Sequence, residues 1–200
     1  MKLAFATQNP FKLKEVAAVY AHLGIEIVSM GDLGLHDDIV EDQDTYEGNA
    51  LLKARFVCER AGLPTIADDS GVNIDALDGR PGIYSARWAG EGADGRTIVD
   101  HTLAELTAAT SDVRTAQFVT CAVLVMPDGS EFHEFGKVHG RFITEPKGEW
   151  RDKFPYDMIF VPDEGDGRTF SEMTLAEKYT VSHRERAFRA LEKHVAGQLL

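Results

Sequence analysis

The 200-residue chain is 44% hydrophobic and 27% charged, ordinary globular usage that allows one core or one split core. Its 33 acidic residues outnumber 21 basic ones, and the net charge of -12 argues against nonspecific nucleic-acid or membrane-surface binding, so a polyanionic substrate would need local cations or a metal. No apolar run reaches the roughly 20 residues of a membrane span, the start MKLAFATQNP turns polar too early for a secretory signal, and Cys58 and Cys121 read as buried free thiols; a cytoplasmic protein is expected.

Lys2–Ala6 reads as a short strand, and Asn9-Pro10 as an N-cap followed by proline at the first helical position, opening a helix to about Leu23. A strand over Ile25–Ser29 leads into the acidic loop Asp37–Asp44. The next helix is predicted over Thr45–Ala61, with Ala50, Ala54, Val57, Cys58 and Ala61 on one face and Gly62 as its stop. Leu63–Ala67 reads as a buried strand ending at Asp68-Asp69-Ser70-Gly71, and Val72–Leu77 as a separate extended piece before the turn Asp78–Gly82. A helix over Thr97–Ala108 follows, then a hairpin of Thr115–Met126 and Glu131–Val138 joined by Pro127-Asp128-Gly129-Ser130, and a last short strand at Ile159–Val161. Two capping boxes, Thr174 with Glu177 and Ser182 with Glu185, open the carboxyl-terminal helices, the second burying Ala187, Phe188, Leu191 and Val195. Crossover and hairpin strands among helices predict an α/β (α+β) fold around one mixed, twisted sheet, in a single domain over 1–200 without repeat or linker.

Lys12 stands in the first turn of its helix, where the helix dipole disfavours a cation by about 0.3–1 kcal/mol. With Thr7, Gln8 and Asn9 it places a hydroxyl, amides, backbone N–H groups and an ammonium in one strand-to-helix loop, which suits a phosphate chain; a solvated lysine beside an ordinary N-cap is the other reading. His183 and Arg184 repeat the oddity at the start of the last helix, where a plain surface helix start is the alternative. Asp68 and Asp69, closing an apolar strand, suit magnesium and a general base, against an Asx-turn; on extended backbone only one of the two faces a given site. Glu41 or Glu47 can complete a shell of oxygen ligands, and Asn49 and Lys53 share a helix face, although all of these also read as solvated groups. The absence of GxxxxGK[ST], of GxGxxG after a strand and of GxSxG removes the main support for P-loop, kinase and serine-hydrolase readings, and the seven histidines show no zinc spacing.

Five blocks follow one another along the chain: Thr7-x-Asn9-x-x-Lys12-x-x-Glu15; Thr45-Tyr46 with Asn49-Ala50-x-x-Lys53-Ala54; Ala67-Asp68-Asp69-Ser70-Gly71; Pro81-Gly82-x-x-Ser85-Ala86-Arg87; and Glu177-Lys178-x-x-x-Ser182-His183-Arg184. In type, order and spacing they resemble the inosine triphosphate pyrophosphatase family, from residue 3 to about 191. The resemblance implies a two-lobed fold around a long mixed sheet with an active-site cleft between lobes, a homodimer, and magnesium-dependent hydrolysis of ITP, dITP and XTP to monophosphate and pyrophosphate. It assigns Thr7, Gln8, Asn9, Lys12, Lys53, Lys178, His183 and Arg184 to the triphosphate and base, and Ser70, Phe154, Tyr156 and Asp157 to substrate contacts. It also assigns Glu41 and Asp69, with Asp68 beside them, to Mg2+, and Asp69 to activation of the attacking water.

There are two departures from the family's pattern. Gly48 stands where a glutamate is usual, with Glu47 one residue earlier, and Lys153-Phe154-Pro155-Tyr156-Asp157-Met158 stands in place of Gly-Phe-Gly-Tyr-Asp-Pro. A related nucleotide pyrophosphatase with another base preference is therefore a second reading. A catalytically silent nucleotide-binding module is a third, opposed by the retention of Lys12, Lys53, Asp68 and Asp69.

Overall fold

Residues 1–109 and 113–200 are described by a computed structural model. Contacts divide it into two units, the first comprising Met1–Asp69, Thr120–Gly136 and Arg184–Leu200, the second Ser70–Val119 and Lys137–His183.

In the first unit β1 (Lys2–Phe5) pairs in parallel with β2 (Glu26–Ser29) and with the start of β3 (Thr65–Ile74). Helix α1 (Pro10–Tyr20) lies between β1 and β2 in the chain; it starts where the Asn9 side chain accepts from the Phe11 N–H at 3.0 Å and Pro10 supplies a helical φ without needing a donor. Helix α2 (Tyr46–Ala61) is capped by Thr45, whose hydroxyl accepts from the Gly48 N–H, and ends at Gly62 with φ 63°. Alternation along the strands sorts this core into two faces. Leu3, Phe5, Ile66, Ala122 and Leu124 pack with Val16 and Tyr20 of α1 and with Ala187, Phe188, Leu191 and Val195 of α5 (His183–Leu199). Ala4, Ala6, Ala67, Cys121 and Val123 meet Ala50, Ala54, Val57 and Cys58 of α2, a run of small side chains that draws the helix close to the strands. Ala61, expected on the same face, is only half-buried.

In the second unit β4 (Pro81–Gly82) pairs antiparallel with the end of β3, and β7 (Phe160–Pro162) with the end of β6 (Glu131–Phe142). A Cβ at Gly140 would lie 2.3 Å from the Val161 carbonyl oxygen, so only glycine lets β7 approach there. Asp94 caps α3 (Gly95–Ala108), and Thr174 and Glu177 form the expected capping box of α4 (Leu175–Thr180). The core is aromatic: Phe118 on β5 (Thr115–Val125) lies 4.7 Å from Phe160 and 5.9 Å from Phe170.

Among the described residues the sheet has seven strands in the order β2-β1-β3-β5-β6-β7, with β4 against β3, a mixed α/β sheet with flanking helices as expected. No described helix is long and apolar enough to cross a membrane. One expectation is corrected. Asp68-Asp69-Ser70-Gly71 does not close a strand: Thr65 to Ile74 is one continuous ten-residue strand, and the aspartates sit at its centre. Two carboxylates can stay inside an extended, buried strand here because cations and an amide meet them, as the site shows. Residues Asp75–Leu77, predicted extended, form a 3-10 turn, and β6 runs four residues beyond Val138.

Candidate active site

The loop from β1 to α1 is shaped by its own polar side chains. Thr7 accepts from the Asn9 N–H at 3.1 Å and Asn9 from the Phe11 N–H, so both are fixed in place, while Gln8 reaches the Asp37 carbonyl of the acidic loop at 3.4 Å. Lys12 then projects from the first turn to Asp68, 3.0 and 3.2 Å from its two oxygens. The cation that looked misplaced at a helix start has an anionic partner within the chain, 56 residues on.

Arg184 closes the other side of Asp68. Its Nε lies 3.1 Å from Asp68 Oδ2, and its Nη1 3.0 Å from Glu15 Oε2, so the planar fork joins two carboxylates. All three side chains are nearly fully buried. Burial opposes the charge on Asp68, but Lys12, Arg184 and Lys53 outweigh it and hold this carboxyl well below the usual range. Lys12 itself is drawn down, because burial and the neighbouring Arg184 and Lys53 oppose its charge more than Asp68 supports it. Both Asp68 oxygens thus meet cations, and Asp68 anchors an ion cluster.

Asp69 faces a different set. Its Oδ2 accepts from Asn49 Nδ2 at 3.2 Å, Lys53 Nζ stands 4.0 Å from its Oδ1, and the same ammonium donates to Glu41 Oε1 at 2.9 Å. Burial, opposed by Lys53 but reinforced by Glu41, pushes Asp69 up to about 6. Lys53 is raised despite its burial by Glu41, Asp69 and Asp68. Both carboxylates thus gather on the Lys53 ammonium, and hard oxygen donors in ones and twos are what Mg2+ takes when substrate phosphates and water complete its shell. Among the described residues no group of three or more His, Cys, Asp and Glu side chains forms an all-protein metal cage.

Glu47, the alternative ligand from sequence, points elsewhere, to His133 Nδ1 at 3.2 Å. At Gly48 a Cβ would lie 2.9 Å from the Gln43 Cβ, so the place of the expected glutamate is occupied by Gln43. Thr7, Gln8, Asn9, Lys12, Glu41, Lys53 and Asp68 line one cavity of about 410 Å3 within the first unit, bordered also by His36, Asp37 and Asp38.

In the second unit Asp157 and Lys178, both nearly fully buried, form an ion pair through Asp157 Oδ2 and Lys178 Nζ. The lysine ammonium also lies 4.2 Å from the Phe154 ring centroid and 5.4 Å from that of Phe170. Pro155 begins a 3-10 turn over Pro155–Met158 that carries Tyr156 and Asp157 inward. Tyr156, expected at the substrate, is instead core: its hydroxyl donates to the Ser85 carbonyl at 2.9 Å and its ring packs near Phe118. His183 stacks on Phe118 at 4.7 Å between centroids, and half-buried Ser70 follows Asp69 along β3.

Sequence reasoning gave no role to Glu15, Asn49, Ser85 or Phe118. Glu15 had a signal: it shares a helix face with Lys12 at i,i+3 beside apolar Val16 and Val19, an odd place for a carboxylate. Ser85, which accepts from the Val72 N–H and donates to the Gly82 carbonyl, could not be placed without the turn geometry.

The pattern of the Ham1 family matches residues 3–194. The chain is 40% identical over 204 aligned positions to a dITP/XTP pyrophosphatase of Corynebacterium diphtheriae, covering 98% of both chains, and 44% identical over 191 positions to one of Caulobacter vibrioides, covering 96% of both. A solved structure of a HAM1 protein from Coxiella burnetii superposes with a TM-score of 0.89 at 31% identity, covering 98% of this chain and 99% of that one.

Proposed function

The chain belongs to the Ham1 family, and we propose that it is a nucleoside-triphosphate pyrophosphatase that hydrolyses deaminated purine triphosphates, ITP, dITP and XTP, to monophosphate and pyrophosphate. The observation that carries this reading is the cavity where Lys12 and Lys53 stand beside the Thr7–Asn9 loop, with the carboxylates Glu41 and Asp69 gathered on Lys53. Ammonium groups and loop N–H donors suit a polyphosphate, and the carboxylate pair suits the cation that accompanies it.

Glu41 and Asp69 would hold Mg2+, which when bound supplies charge stabilisation on the phosphate oxygens. Lys12 and Lys53 offset the remaining phosphate charge. Asp69 orients a water and takes its proton as the water attacks the α-phosphorus in line, and pyrophosphate leaves. No covalent intermediate is required. Arg184 keeps Lys12 and Asp68 in register.

For the base, Asp157 offers an acceptor and Lys178 a donor side by side, with Phe154 as an aromatic face. Hypoxanthine and xanthine present an N1–H donor beside a 6-oxo acceptor, whereas adenine reverses both. A site built around such a pair discriminates by about 10⁴ when the wrong base leaves its buried groups unpaired. His183 and Ser70 complete this proposed substrate set, and a single catalytic domain, a homodimer and a cytoplasmic location belong to the same proposal, on the strength of the family resemblance. A panel of ITP, XTP, GTP and ATP, scored for Mg2+-dependent pyrophosphate release, tests it. Release from ITP and XTP with ATP inert is expected, and preferred hydrolysis of a pyrimidine triphosphate would support the rival base preference.

A further inference from the structure

Asn49 is fully buried in the first turns of α2, and both ends of its amide are spoken for. The Gln43 N–H donates to Asn49 Oδ1 at 3.0 Å, and Asn49 Nδ2 donates to Asp69 Oδ2 at 3.2 Å. A backbone N–H can only donate and an ionised carboxylate can only accept, so a single orientation of the amide serves both. The residue therefore joins the acidic loop that carries Glu41 to the strand that carries Asp69.

The loop is seated on α2 by a second contact. Gln43 lies over Gly48, where any Cβ would come within 2.9 Å of the Gln43 Cβ and 3.0 Å of Thr45 Oγ1. Lys53, one helical turn beyond Asn49, reaches Glu41 from the same helix face. One face of α2 thus sets both carboxylates: Lys53 by charge, Asn49 by direction.

We infer that Asn49 is a positioning residue for hydrolysis, a bridging amide that fixes the Glu41 loop with its oxygen and aims the Asp69 carboxylate with its nitrogen. The inference rests on the role proposed above for Asp69. Neither aspartate nor alanine can reproduce both halves. Aspartate keeps an acceptor for the Gln43 N–H but turns a second carboxylate toward Asp69; alanine removes both contacts.

The experiment compares wild type with Asn49→Asp, Asn49→Ala and Gly48→Ala, measuring kcat and KM for ITP hydrolysis, amide hydrogen exchange at Gln43, and melting temperature. In Asn49→Ala, kcat should fall by about 10- to 100-fold, the range over which loss of orientation acts, and Gln43 exchange should speed up at least about tenfold, as expected when a hydrogen bond of about 1.5 kcal/mol is lost. Asn49→Asp should lose as much kcat while Gln43 stays protected, a separation that a purely structural residue would not produce. Gly48→Ala, which leaves Asn49 in place but unseats Gln43, should speed Gln43 exchange. Folded Asn49→Asp and Asn49→Ala proteins with kcat within twofold of wild type would overturn the inference, as would unchanged Gln43 exchange in Asn49→Ala. Asp69→Asn run beside them separates the two readings: if it is inactive while both Asn49 variants remain fully active, only the role of Asn49 fails, and if it is fully active, the role of Asp69 fails and this inference with it.

Discussion

Replacing Asp69 by asparagine should make the protein more stable while removing its activity. Burial and Glu41 lift Asp69 from 3.8 to about 6 in the folded chain, so its ionised form is disfavoured there. A carboxyl whose folded value is raised binds its proton more tightly in the native state, so ionising it weakens folding progressively between about pH 4 and pH 6, and the whole cost is present above that window. The shift corresponds to at most about 3 kcal/mol. Asparagine retains an oxygen to accept from Asn49 but gives up the attraction to Lys53 4.0 Å away, so a net gain of about 1–3 kcal/mol is expected, or about 2–12 °C in melting temperature for a chain of this size. Thermal unfolding of both proteins in a chelator, from pH 4 to 8, measures it. The gap should be full at pH 7 and close by about pH 4, with turnover in Mg2+ reduced at least 10²-fold. A variant that melts lower at pH 7, or a gap indifferent to pH, would refute the electrostatic description of this carboxyl.

Arg184→Lys should lower stability by about 1.5–3 kcal/mol, because one ammonium cannot reproduce the planar fork that joins Asp68 and Glu15 and a charge-assisted contact is lost; denaturant titration checks it, and a change below about 0.5 kcal/mol would contradict it. Lys12→Ala should cut kcat/KM at least tenfold, the loss of a charge-assisted phosphate contact of about 1.5–3 kcal/mol, without lowering the melting temperature, since burial and the neighbouring Arg184 and Lys53 oppose the Lys12 charge more than Asp68 supports it; unaltered kinetics would take Lys12 out of the phosphate site. Pro155→Gly frees the turn that carries Asp157, and the ratio of ITP to GTP efficiencies should change with ATP still rejected; an unchanged ratio would mean that this turn does not shape base selection.

Much of the site was legible because its chemistry violates local preference. Lys12 at a helix start, and carboxylates within an apolar run, demand partners, and the sequence could say so without naming them. The partners themselves come from far along the chain: Asp68 meets Lys12 across 56 residues and Arg184 across 116, distances that no periodicity encodes. That is why the sequence could offer Lys12 only a phosphate chain or solvent, and why it could not show the cations that meet Asp68. The break read at Asp68-Asp69 followed from treating two aspartates as turn residues, sound for solvated ones and overridden when cations meet both inside the sheet. Tyr156 was read as a substrate contact, but its hydroxyl finds the Ser85 carbonyl and its ring the aromatic core. In the first unit the buried faces of α2 and α5 were visible in helical spacing, while the sorting of small strand residues toward α2 and large ones toward α1 and α5 came only with the strand pairing.

The most direct test of the account is hydrolysis of ITP in water enriched in oxygen-18, with mass analysis of both products. Attack on the α-phosphorus by a water held at Asp69 predicts one labelled oxygen in the nucleoside monophosphate and none in the pyrophosphate. Label in pyrophosphate, or release of orthophosphate as the primary product, would contradict it.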